Sequence, residues 1–130
     1  MAALASAPAP TPARDPLHIL VHFFILADGH SHSTAHVAAQ LLLGLYSGSR
    51  FPFDLTELRR LDTKDLDMAL QLLRFDARPQ DEVHELLNQL YGRHDFGMRF
   101  EHLAHNWRMK CKCKRDALAP VERIALADPI

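Results

Sequence analysis

Residues 53–75, FDLTELRRLDTKDLDMALQLLRF, leave the chain little conformational choice, because they read as two short helices with their own start signals. Asp54 stands three residues before Glu57, and Thr63 two before Asp65. A short polar side chain followed by an acid suits the unpaired N–H groups of a helix start. Leu55, Leu58 and Leu61, then Leu66, Leu70 and Leu73, recur at spacings of three and four, so each set is expected to line one helical face. No stretch of the chain alternates apolar and polar residues with the two-residue period of a strand. The fold class predicted is all-α: a compact single-domain bundle of five to six short helices.

The flanking sequence repeats this grammar. Asp15-Pro16 offers a cap and a proline at the first helical position, opening a helix to about Ala27. Leu17, Ile19, Leu20, Val21, Phe23, Phe24, Ile25 and Leu26 nearly encircle that helix, which therefore belongs at the centre. Asp28-Gly29 ends it. Ser33 is the expected cap of the next helix, AHVAAQLLLGLY, which Ser47-Gly48-Ser49 closes. Phe51-Pro52-Phe53 then reads as an extended, exposed-looking anchor. Pro79-Gln80-Asp81-Glu82 places proline and acids in a first turn, and Val83, Leu86, Leu87, Leu90 and Tyr91 follow until Gly92. Asp95 starts a last helix with Phe96, Phe100, Leu103 and Trp107 on one stripe. Residues 1–15 are expected to be a disordered Ala/Pro-rich lead-in, 16–115 the helical domain, and 116–130 a tail or loosely docked arm.

Composition narrows the function classes. The formal net charge of −1 gives no whole-protein attraction to nucleic acid or anionic membrane. The longest apolar run, residues 19–27, is broken by His22 and falls far short of the ~20 residues that span a bilayer. The N-terminus lacks the basic start and apolar block of a secretory signal. The two cysteines, Cys111 and Cys113, are one residue apart and poorly placed to bridge each other, which fits a reducing, cytoplasmic location.

Several motifs together resemble a group of short uncharacterised bacterial proteins carried on plasmids and integrating elements. They are Asp28 with Gly29, Ser33, Phe53-Asp54-Leu55-Thr56, Asp62, and Phe100-Glu101 with Leu103, Trp107 and Arg108. In that group a further residue separates the first aspartate from its glycine, whereas Gly29 follows Asp28 directly. The resemblance spans about residues 17–108 and transfers no chemistry. It implies a mobile-element accessory protein.

Reactive constellations are thin. His18 and His22, and His32 and His36, stand four apart as helical zinc ligands do, with His30 nearby. His102, His105, Cys111 and Cys113 supply four metal-ligating groups, but lysines flank the closely spaced cysteines and repel a dication. The same residues serve equally as caps and seam fillers. His22, with no acid at a nearby helical position, reads as a hydrogen-bonded core histidine. Cys111 or Cys113 with His102 or His105 is the only nucleophile arrangement, without a nucleophile elbow. Only five glycines occur and none cluster, so no phosphate cradle forms. The expectation is a non-enzyme with no cofactor.

The basic run Arg108, Lys110, Lys112, Lys114 and Arg115 is the expected partner-binding surface on an otherwise near-neutral chain. Trp107 beside it is assigned to the core by its spacing. The favoured function is inhibition of a host defence complex, of anti-CRISPR or anti-restriction type, through protein–protein contact. The alternatives are a nucleic-acid-associated regulator using residues 108–115 and a His/Cys metal-binding protein. The apolar helix and Phe51/Phe53 leave a homodimer open.

Overall fold

The computed structural model describes residues 15–78, 81–107 and 118–122. Among these are five α-helices, α1 (Pro16–Gly29), α2 (Ser33–Tyr46), α3 (Thr63–Asp76), α4 (Val83–Tyr91) and α5 (Phe96–Asn106), and a 3₁₀ helix, Leu55–Arg60. The all-α single domain read from the sequence is the observed architecture. Residues 1–14, most of the expected lead-in, lie outside the described residues.

The centre is an antiparallel pair, α1 and α2. Both bury most of their circumference: Ile19, Leu20, Val21, Phe23, Phe24 and Ala27 from α1, and Ala35, Val37, Ala38, Ala39, Leu41, Leu42 and Leu43 from α2. Each fully buried large apolar side chain stabilises the fold by about 1.5–3 kcal/mol relative to exposure. Of the remaining helices, α3 and α4 bury one face each, and α5 is covered on two sides. α3 packs on α1, α4 on both central helices, and α5 on α4 and α2. Phe24 meets Phe96 and Phe100 at 5.3 Å each, joining α5 to the aromatic centre.

Gly44 lets the chain turn back over α2. A Cβ there would stand 3.3 Å from Phe53 Cβ and 3.4 Å from Phe51 O. This close approach buries Phe51 to 5% exposure. Phe51 is therefore a core residue and Phe53 a half-buried one, not an exposed anchor. Gly92 ends α4 with φ +62, a conformation that glycine adopts without a side-chain clash.

Caps decide the other boundaries, and several differ from expectation. Leu17 N–H donates to Asp15 Oδ1 at 3.0 Å, as the Asp-Pro start predicts. α2 is capped one residue earlier than expected: Ala35 N–H donates to His32 Nδ1 at 3.1 Å, and Ser33 is already helical. α3 shifts likewise, since Asp62 rather than Thr63 accepts from Asp65 N–H, at 2.8 Å. α4 begins at Val83, after the expected first-turn acids Asp81 and Glu82, while Pro79 and Gln80 lie outside the described residues; Glu85 Oε1 accepts from the Glu82 N–H at 3.2 Å.

The 53–75 segment also divides differently. Asp54 does cap, accepting from Thr56 N–H at 2.9 Å, but the first helix is 3₁₀ and leaves Leu55 71% exposed. In α3 the buried face is Met68, Ala69 and Leu72, while Leu70 is 48% exposed. The leucine stripe at 66, 70 and 73 therefore lies to one side of the true contact face. Ala69, fully buried, lies at the centre of that face on the helix that packs on α1.

Candidate functional site

α5 carries two charged residues on sides that neighbouring elements cover. Glu101 is only 1% exposed. It accepts from Arg50 twice, Nη1 to Oε2 at 2.9 Å and Nη2 to Oε1 at 2.5 Å, and from the Tyr46 hydroxyl at 2.5 Å. Both carboxylate oxygens are thus matched by a forked cation, the geometry in which a buried ion pair is tolerated. Tyr46 stacks on Phe100 at 4.9 Å, and the Arg50 guanidinium lies 4.8 Å from the Phe51 ring centre. Burial, then the Glu101 hydrogen bond and charge, push the Tyr46 hydroxyl up to about 12. Arg50 is also raised, chiefly by its hydrogen bond to Glu101. The cluster joins the end of α2 to α5 and holds its protons firmly in place. His84 meets Tyr46 edge-on at 5.1 Å, and its Nδ1 is buried without a hydrogen-bond partner.

A second cluster sits where α4 turns into α5. The Asp95 side chain makes no cap bond; Asn88 Oδ1 takes the Phe96 N–H at 3.0 Å instead. Asp95 binds arginines: Arg93 Nε and Nη2 at 3.1 Å each, and Arg99 Nη2 at 2.9 Å. The Arg93 hydrogen bond is the largest influence holding the Asp95 carboxyl far below the usual carboxylate range. Residues 118–122 dock here. Arg99 Nη2 donates to Glu122 O at 2.6 Å, Arg93 Nη2 meets Glu122 Oε2 at 2.9 Å, and His102 Nε2 meets Ala119 O at 2.8 Å.

Trp107 caps the end of α5 rather than continuing its stripe. Its Nε1–H donates to Ala27 O at 2.9 Å, satisfying a carbonyl in the last turn of α1. His36 stacks on its ring at 5.0 Å, and Arg60 Nη1 lies 3.2 Å from His36 Nδ1. Trp107 is half-buried against the core, so these contacts favour an anchoring role over stacking on a nucleic-acid base.

The expected partner-binding residues Arg108, Lys110, Lys112, Lys114 and Arg115 lie outside the described residues, as do Cys111 and Cys113. Of the weak metal set, His102 is engaged by Ala119 O, while His105 is exposed. Among the described residues, no three His, Cys, Asp or Glu side chains are grouped to hold a metal ion. His22 is exposed, not a core residue, and the fold supplies the acid that local sequence lacked. Asp65 on α3 feels the His22 charge, although burial dominates and raises its pKa. His30 and His32 lie 5.3 Å apart beside a shallow open depression formed by residues 28–32.

Sequence reasoning missed the Tyr46–Arg50–Glu101 cluster. Helical phase sets Glu101 well off the Phe96/Phe100/Leu103 stripe, and its burial arises only because α2 covers a second side of α5. The one usable signal was the place of Glu101 inside the closing Phe100–Trp107 motif.

Fold and site together define an all-α domain whose interior charge is a matched Tyr–Arg–Glu cluster between two helices. A family model described as a family of unknown function (DUF7673) matches residues 19–108, and the chain belongs to that family. The match takes in Arg50, Glu101 and Trp107 and stops before residues 118–122. No curated protein and no solved structure matches the chain. No helix among the described residues is long and apolar enough to cross a membrane.

Proposed function

We propose that the protein is a non-catalytic binding module that acts by covering the surface of another protein. The observation that carries this reading is how the ionisable side chains are used. Asp15, Asp54 and Asp62 cap helices, Glu85 completes a fourth start, and Glu101 and Asp95 each hold arginines. Groups engaged in this way shape and fix the body, which leaves the outer surface as the working part. The basic run of residues 108–115 follows directly on Trp107, a residue tied into the body by Ala27 and His36. A positive segment beside a rigid anchor suits steering toward an acidic partner. The mobile-element setting implied by the motifs directs the reading to a host defence complex, either a CRISPR-type surveillance complex or a restriction nuclease.

The test is affinity capture from host cells with the full chain and with a Lys110→Glu/Lys112→Glu/Lys114→Glu variant. A defence complex retained by the first and lost by the second, with helical circular dichroism unchanged, is the expected result. Equal capture by both removes the basic run from the reading. Binding only to DNA or RNA, with steep salt dependence, would replace the protein partner by a nucleic-acid one.

A further inference from the structure

We propose that the surface formed by Arg93, in the turn before α5, and by Arg99 and His102 of α5 is a recognition site for an acidic peptide, filled in this chain by its own residues 118–122. The contacts are of a peptide-reading kind. His102 Nε2 faces the Ala119 carbonyl at 2.8 Å, and since a carbonyl only accepts, the ring nitrogen donates. Arg99 Nη2 donates to the Glu122 carbonyl at 2.6 Å. Both of these contacts read main-chain carbonyls, which any peptide segment presents. The third, Arg93 Nη2 to Glu122 Oε2 at 2.9 Å, reads a carboxylate and supplies the selectivity.

The site is organised independently of its occupant. Asp95 grips both arginines and neutralises one of their two charges, leaving one positive charge for an incoming acid. Arg99 is 8% exposed and rests near the Phe96 ring, at 5.8 Å. Its Nε is buried and, among the described residues, has no hydrogen-bond partner, so the site holds a donor that residues 118–122 leave unused. A perfect occupant would satisfy it. The present one is held lightly, because the Glu122 side chain is 71% exposed and an ion pair in contact with water contributes little. A tethered segment competes at an effective concentration on the order of millimolar, so it shields the site from weak ligands and yields to a better one. The inference rests on the binding-module reading and gives it a second, acid-selective contact, on the chain just before and just after the basic run.

The experiment uses the isotopically labelled full chain and a synthetic peptide of residues 117–123, Ala-Leu-Ala-Pro-Val-Glu-Arg, followed by amide shifts. In the Glu122→Lys chain the tether is repelled by Arg93, and the peptide should bind about tenfold more tightly than to the natural chain. Shifts should centre on Arg93, Arg99 and His102. Adding Arg93→Gln should weaken binding several-fold, and an E122Q peptide should lose affinity to a similar extent, because both remove the same ion pair. A Glu122→Gln chain, which keeps size and removes charge, serves if the lysine variant loses its dispersed spectrum. No shifts at those three residues, equal affinity for the natural and released chains, or indifference to Arg93→Gln would each overturn the proposal. A chain that ignores the peptide but still captures a host complex through the basic run loses this site and keeps the broader reading.

Discussion

Glu101 and Asp95 lie on or beside the same helix, and each binds arginine, yet they have opposite relations to the fold. Glu101 is sealed, and its partners come from about fifty positions earlier, Arg50 and Tyr46. Asp95 is a quarter exposed, and its arginines are near neighbours, two residues before and four after. The first contact exists only when α2 and α5 are docked. The second can form on an isolated helix start. A long-range buried pair reports tertiary structure, whereas a local exposed one decorates secondary structure.

Removing a partner from each site is the direct way to break that comparison. Glu101→Ala removes the buried carboxylate that Arg50 and the Tyr46 hydroxyl share beside Phe100, and should cost about 3–5 kcal/mol in urea unfolding. Replacing all three together, as Tyr46→Phe, Arg50→Met and Glu101→Met, should recover most of that loss, because matched apolar groups need no desolvation. If the single variant cost less than about 1 kcal/mol, the cluster would be surface-like despite its burial.

Tyr46→Phe is the intermediate case, since it deletes a hydrogen bond to a charged group worth about 1.5–3 kcal/mol. Its pH dependence sharpens the contrast. The hydroxyl is pushed up to about 12 in the folded chain, against roughly 10 when unfolded. The folded state therefore holds this proton more tightly, and the stabilisation is complete below about pH 10 and lost as pH rises toward 12. The difference in phenolate absorbance between the natural chain and Tyr46→Phe should show a single group ionising near pH 12. A difference curve centred near 10 would place Tyr46 in contact with solvent.

The same distinction explains what could be read in advance. Local signals were legible: Asp15-Pro16, the Asp54 cap and the Gly92 stop all stand as the sequence implied. Errors of one residue at Ser33 and Thr63 arose because two capping side chains stood in succession and the sequence does not rank them. The α3 face was misread for a different reason. Leu66, Leu70 and Leu73 are more apolar than Met68, Ala69 and Leu72 taken together in sequence, but close packing on α1 favours the face containing the alanine. Phe51 and Glu101 could not be placed at all from local pattern. Their burial depends on which element crosses which, at Gly44 and between α2 and α5.

Asp95→Asn should cost about 1 kcal/mol at neutral pH, a fraction of the Glu101 effect, because Asp95 and Arg93 are each about a quarter exposed even though Arg99 is buried. The folded carboxyl titrates far below its usual value of about 4, so its stabilisation is present above pH 4 and declines as pH falls below it. Unfolding curves for the natural chain and Asp95→Asn should therefore converge in acid. A separation that does not change with pH would show that the Asp95 charge contributes nothing to folding.

Glu122→Gln marks the lower end of the scale. Its carboxylate is mostly in water and touches Arg93, which Asp95 already holds from the other side. The variant should unfold within about 0.5 kcal/mol of the natural chain, as surface substitutions usually do. That near-neutrality gives the variant its value. A residue that contributes almost nothing to global stability can change access to Arg93 and Arg99 without disturbing the helices that carry them. A loss of 2 kcal/mol or more would instead make residues 118–122 part of the core structure, and the contrast between a sealed tertiary cluster and an exchangeable surface one would collapse.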